Sequence, residues 1–455
     1  MTSPADTDSQ QRVETDLLGP IRVPQTALWG AHTQRAIANF PLRGARTIGD
    51  ISALVPALIQ VKHAAANANE RAGVLNSDVS SRIRAACLSL LADPQPHQFP
   101  VHVLHGGGGT SANMNVNEVI ANLCARDAGE PLGSYQRVHP TGHVNANQST
   151  NDAFPTACRL AIRTRWTEAE QHITSALTRI SARNDVLHDE PRLARTCLQD
   201  AVPAQFGDLF GAYHAFLSRG VTRIQRRVGR LHAVSLGGLV MGRTDGVPAV
   251  YLAHVIDDLA TISGFSDLTA AVNRVDAAQH MDDLVDVADA VDVLARGIIR
   301  IAKDLRLLGS GPDGGFGEIM LQACQAGSSA MPGKVNPVLP EHAVLLAWQA
   351  SSAAAMVRNT LDHAELDLNV WESAALLGVL DGIDALVGAA DALTRAFDGL
   401  TVRRDVIATQ LDSVIPMAVR AAHEHGHVVV ETLAADTAGD AAKFRDALKR
   451  LLGEV

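Results

Sequence analysis

The chain of 455 residues sets 39 Lys and Arg against 49 Asp and Glu for a net charge of −10, with 47% hydrophobic and only 4% aromatic residues. That is enough apolar chain to bury a large core, and it excludes an intrinsically disordered protein. It also excludes a general field that gathers polyanions and a surface of stacking rings, so nucleic acid is not an expected partner.

The first fifteen residues, MTSPADTDSQQRVET, are polar and contain no apolar h-region. No run of about eighteen uncharged apolar residues follows anywhere, so the reading is a cytoplasmic protein with no membrane partner. The five cysteines (Cys87, Cys124, Cys158, Cys197, Cys324) are isolated and odd in number, which reads as reduced thiols. Helical spacing appears near 49–71 and 78–92, then a glycine run at 106–109, a helical pattern over 112–127 and a turn-rich loop over 129–151. From Thr156 the texture changes. Apolar residues recur three and four apart over 156–183, 205–234, 247–309 (interrupted near Gly264) and 338–397 (interrupted near 364–370). A helix of some thirty residues reaches about 45 Å, and faces this apolar must pack as a bundle, across subunits. The expected fold is mostly α, divided into an N-terminal domain 1–149, a central long-helix domain 150–405 and a short C-terminal domain 406–455. No fixed repeat period points to a solenoid.

Three polar segments between the helices carry the chemistry: GGGGTSANMNVNE (106–118), TGHVNANQSTND (141–152) and GSSAMPGKVNP (327–337). Each is dense in hydroxyls and amides, which hold carboxylate oxygens at several points and serve equally as helix caps and turns. The third is no phosphate loop, because its glycine spacing is one residue too long and Val335 follows Lys334. His423, His425 and His427 form HEHGH near the end; two stand four apart, but without a third ligand they read as surface histidines.

GSSAMPGKVNP resembles the signature loop of the fumarase/aspartase superfamily, which reversibly eliminates a leaving group from succinyl compounds. The resemblance extends in order through LLGPIRVPQTALWGAHTQRAIANF, both Asn-rich segments, RTCLQDAVP (195–203), KDLRLLGSGP (303–312) and AELDLNVWES (364–373). GGGGTSANMN, Ala31-His32-Thr33, Gln148–Asp152, Gln325–Gly327 and Val338–Glu341 are similar to aspartases, while Leu28-Trp29 is similar to fumarases. The resemblance implies a three-domain fumarase/aspartase-like fold, a homotetramer with composite active sites, a small dicarboxylate substrate and no organic cofactor. A divalent metal activates some relatives, but no ligand set is specified here.

It also implies roles. Ser328 is the general base, a serine held as an oxyanion on a mobile loop. Lys334 and Asn336 accept the charge of an aci-carboxylate, and Ser149 and Thr150 grip a carboxylate. Thr110 and Asn151 orient the substrate and leaving group, with Ser111, Asn113 and Glu341 in support. The grouping expected is Thr110 from one chain, Ser149–Asn151 with Thr196 from a second and the Ser328 loop from a third. Where fumarases have histidine, paired with the acid matching Glu341, this chain has Cys197, read as a pocket wall. An ammonium leaves as ammonia and needs no acid, whereas hydroxide benefits from one, so the expected reaction is L-aspartate to fumarate. Malate and N-substituted aspartates stay open as substrates, because Thr141-Gly142, the turn 237–246 with its Leu239 and Arg243, and Asp313 depart from the family pattern. A non-enzymatic relative that keeps the loops as structure is the remaining alternative.

Overall fold

The computed structural model describes residues 11–454; residues 1–10 of the polar leader, and Val455, lie outside the described residues. Helices form where apolar spacing places them, with differences at their ends. Leu54–Arg71 and Ser77–Ala92 follow the first two stretches, and Thr110–Asp127 begins directly after the glycine run. The helix Thr150–Leu187 takes in 38 residues, starting ahead of the pattern read from Thr156 and including Pro155. Proline removes an N–H and crowds the carbonyl four residues back. That carbonyl belongs to Asn151 in the first turn, so the disturbance stays at the helix end.

The remaining long helices are Phe206–Gly229, Ala249–Ser263, Asp282–Leu308, Val338–Asp362 and Glu372–Asp398. Gly264, at φ +78°, closes the second of them and accounts for the interruption seen in the sequence. Helical periodicity does not reveal two antiparallel hairpins. One pairs Gln11–Asp16 with Gly19–Pro24, the other Pro191–Thr196 with Gln199–Gln205, in a register that sets Thr196 opposite Gln199.

The chain divides into two compact units. The first collects Met1–Glu170, Arg223–Asp292 and Ala350–Asp384; the second collects Gln171–Thr222, Val293–Gln349 and Ala385–Val455. In the first unit, Leu54–Arg71 packs on Ser77–Ala92 and Ala249–Ser263. Its buried Leu54, Leu58, Val61, Ala65 and Ala68 recur at alternating spacings of four and three, one stripe of a helix. Each large apolar side chain on such a stripe contributes roughly 1.5–3 kcal/mol.

The second unit is knit by Phe206, Phe210 and Phe397, with ring centroids 5.2 Å apart in both successive pairs. The helix Glu372–Asp398 is long and apolar enough to cross a membrane by composition, with mean hydropathy 1.6, but 72% of that window is buried in the protein. It is a core helix. The C-terminal segment folds as Arg404–Leu411, Val414–His425, His427–Asp436 and Ala441–Leu451, with Met417, Ala421, Val430 and Leu448 at its centre. Gly426 separates the second and third of these helices, so His423 and His427 share no helical face, and all three HEHGH histidines are exposed.

What positions the start of Thr110–Asp127 is glycine. Gly107, Gly108 and Gly109 all have positive φ (89°, 58° and 81°), and a Cβ on Gly109 would fall 2.4 Å from the Phe154 ring. Gly109→Ala therefore combines left-handed strain with overpacking, together roughly 2–4 kcal/mol. We expect a lower urea midpoint with an unchanged slope; a midpoint equal to wild type would contradict the packing described.

Candidate active site

The sequence-derived residues fall into two groups, one in each unit. In the first, Thr110, Ser111 and Asn113 occupy the first turn of Thr110–Asp127, while Ser149, Thr150 and Asn151 stand at the start of Thr150–Leu187. Thr110, Ser149, Thr150 and Asn151 are half-buried; Ser111 and Asn113 are buried. Asn113 joins the two helices, its Nδ2 donating to Thr150 Oγ1 at 3.0 Å and to Asn145 Oδ1 at 3.2 Å. Thr110 and Ser149–Asn151 belong to one cluster of one chain, and Thr196 belongs to the other unit.

Beneath this cluster lies Lys62, completely buried. Its Nζ donates to Asn113 Oδ1 at 2.6 Å, Asn145 Oδ1 at 2.9 Å and Gln148 Oε1 at 2.9 Å. Asp152 is also fully buried and accepts backbone N–H bonds from Ser149 at 2.9 Å, Gly237 at 3.0 Å and Leu239 at 3.0 Å. Burial pushes the Asp152 carboxyl up and the Lys62 ammonium down, and the opposite charge of each restrains the other's shift.

Two of the departures from the family pattern, the turn 237–246 and Thr141-Gly142, have identifiable local contacts. Leu239 takes a left-handed φ of 50° so that its N–H can face Asp152, and Asn151 Nδ2 donates to Val240 O at 2.8 Å. Arg243 pairs with Asp245 at 2.6 Å, which returns the added charge to its own loop. Thr141 and Gly142 lie in a single π-turn, Pro140–Val144, and both their N–H groups donate to His139 Nδ1. Glu118, at the end of the first polar segment, accepts from Gly30, His32 and Thr33 N–H and from the Thr33 hydroxyl at 2.6 Å. The Ala31-His32-Thr33 segment is thus a helix N-terminus capped by a buried carboxylate.

The second group centres on the loop 327–337. Ser328 is half-buried, and its Oγ accepts N–H bonds from Ala330 at 3.1 Å and Met331 at 3.0 Å. The loop is closed by Gly327 N–H to Lys334 O at 2.8 Å and by Asn336 Nδ2 to Gly327 O at 2.9 Å. A Cβ on Gly327 would stand 2.8 Å from Asn336 N, so only glycine lets these strands of the loop meet. The Lys334 side chain is exposed, and Glu341 pairs with Arg306 at 3.3 Å.

Thr196 and Cys197 stand at the tip of the second hairpin. Cys197 and Leu198 both take left-handed φ, 52° and 62°, in a two-residue turn that usually demands Asn-Gly, at a cost of roughly 1–2 kcal/mol per residue. Cys197 is a free thiol, exposed within the single chain. Arg195 holds the base of this tip by pairing with the fully buried Glu318 and lying 4.2 Å over the Phe316 ring.

Among the described residues no group of three His, Cys, Asp or Glu side chains is placed to hold a metal. The sequence reading passes over Lys62, although one signal was there: a lone lysine on the alanine-rich apolar face of Leu54–Arg71. Asn145, Gln148 and Asp152 sit inside quoted motifs, but nothing in their spacing shows that they converge on that lysine.

Comparison with known proteins agrees in family. The family described as lyase matches residues 19–351. An aspartate ammonia-lyase from Pseudomonas canavaninivorans is 38% identical over 84% of this chain and 80% of its own. A class II fumarate hydratase from Xylella fastidiosa is 37% identical over 88% of this chain and 83% of its own. Among solved structures, a fumarate lyase:delta crystallin from Brucella melitensis bound to cobalt superposes with a TM-score of 0.91 at 34% identity, covering 97% of this chain and 98% of that one.

Asp152 is the tie between the helix start and the turn 237–246. Asp152→Asn turns an NH2 towards N–H donors and should cost about 1–3 kcal/mol of stability. Urea unfolding checks this; an unchanged midpoint would mean that these bonds carry no net energy.

Proposed function

Because the chain belongs to the fumarase/aspartase superfamily of lyases, we propose that it eliminates ammonia from L-aspartate to give fumarate. The observation that carries the reading is Ser328 Oγ with two backbone N–H donors on it, in a loop that also bears Lys334 and Asn336. A serine can act as a base only if its oxyanion is stabilised, and N–H groups already directed at the oxygen do that without reorganisation.

In the proposed reaction Ser328 Oγ⁻ takes the Cβ proton, and the electron pair left on carbon spreads into the adjacent carboxylate. Lys334 and Asn336 stabilise that aci-carboxylate. The Cα–N bond then breaks, its electrons leave with nitrogen as neutral ammonia, and the double bond of fumarate forms. Ser149 and Thr150 hold a carboxylate, Thr110 and Asn151 set the orientation, and Ser111 and Asn113 support the helix ends behind them. Aspartate is preferred over malate as substrate because Cys197 stands where the fumarase pattern has histidine, and an ammonium needs no acid to leave.

The same reading makes the protein a cytoplasmic homotetramer of three-domain chains, needing no organic cofactor, whose sites are composite. One chain supplies Thr110 with Ser149–Asn151, and others supply the Thr196-Cys197 tip and the Ser328 loop. A second reading, a lyase acting on malate or an N-substituted aspartate, draws on the fumarase relative of similar identity and on the altered turn 237–246.

The test is a substrate screen followed by the ultraviolet absorbance of fumarate. Aspartate should give the highest kcat/KM; faster turnover of malate or of a substituted aspartate would replace the aspartase reading, and silence with all would favour a structural relative. Ser328→Ala should lower kcat by about 10²–10⁴-fold, the usual worth of a positioned base, with the oligomer intact. Near-normal rates in that variant would refute the assignment of the base.

A further inference from the structure

Resting on that reading of the Thr110/Thr150 cluster, we propose that Lys62 and Asn113 are positioning residues that fix the direction of the Thr150 hydroxyl, leaving its proton free for the substrate carboxylate. A lysine ammonium has three donors and no acceptor. All three are taken by amide oxygens, those of Asn113, Asn145 and Gln148, between 2.6 and 2.9 Å away. The ammonium therefore decides which end of each amide faces it, a choice that amide shape alone leaves open.

With its oxygen held by Lys62, Asn113 must turn its NH2 the other way. Both hydrogens are used, one on Asn145 Oδ1 and one on Thr150 Oγ1. Asn145 Oδ1 is occupied in turn by Lys62, Asn113 and Asn117, so this amide has no second orientation open to it. The hydrogen bond recorded at Thr150 Oγ1 is one it accepts. A hydroxyl that accepts from one side has its single proton to give elsewhere, and Thr150 is only half-buried. The completely buried lysine touches no substrate in this scheme. It acts two bonds away, by setting the polarity of a chain that ends on Thr150.

The chain's polarity can be reversed without changing its shape. In Asn113→Asp the carboxylate still accepts from Lys62 but presents an oxygen where the NH2 stood, so Thr150 must donate inward. kcat/KM should fall roughly 10- to 100-fold, the worth of one hydrogen bond to a charged group, with a lower thermal midpoint because the new oxygen also faces Asn145 Oδ1. Thr150→Ala should lose a similar factor. The decisive measurement is the double variant Asn113→Asp/Thr150→Ala, which should be no worse than Thr150→Ala alone to within about twofold, because both changes remove the same proton. Lys62→Met should fall with Asn113→Asp if it folds.

Multiplying losses in the double variant would overturn the proposal, as would Asn113→Asp with wild-type kcat/KM. The probe is whichever substrate the wild type turns over best, so a preference for malate defeats the aspartase reading and leaves this one standing. If the wild type is silent with every substrate, the same cycle is read from succinate binding by calorimetry; a wild type that binds no succinate overturns both.

Discussion

A cation shut away from water must be met by acceptors on every donor, and the arrangement around Lys62 follows from that requirement. A bare ammonium in an apolar interior costs several kcal/mol or loses its proton. Three amide oxygens and the nearby charge of Asp152 meet the need. The consequence reaches beyond stability. Because the lysine can only donate, the amides around it are fixed end for end, and the two polar segments it joins are held in one hydrogen-bonded order.

The loop 327–337 solves a different problem. Its residues are largely exposed, so backbone bonds and glycine, not a packed core, hold its shape. Gly327 allows two stretches of backbone to approach within contact, Asn336 ties the loop's ends, and the Ser328 oxygen receives two N–H groups. A segment held this way is cheap to move, since few buried contacts must be broken. The cluster around Lys62 is the opposite case, its ammonium and the amides of Asn113 and Asn145 tied into one buried hydrogen-bonded chain.

The hairpin tip at Cys197-Leu198 links the two themes. Both residues sit in a backbone region that disfavours side chains, and Leu198 is exposed. Such strain persists only where surrounding structure enforces it, and Arg195, buried against Glu318 and Phe316, supplies that force at the base of the tip.

From its residues alone the chain announces its helices, its superfamily and the segments that carry hydroxyls, amides and the lysine of the loop. These are local properties, since periodicity, capping chemistry and motif order are all written along one strand of sequence. The two hairpins were not legible, because short strands of mixed burial lack a clean alternation. The start of the long helix at Thr150, ahead of Pro155, was not legible either, because a proline's cost depends on how near it lies to a helix end. The partners of Lys62, the union of Thr110 with Thr150 through Asn113 and the hold of Asp152 on Gly237 and Leu239 needed the tertiary structure. They are contacts between residues tens of positions apart, and which end of an amide faces which atom is decided only when those residues meet.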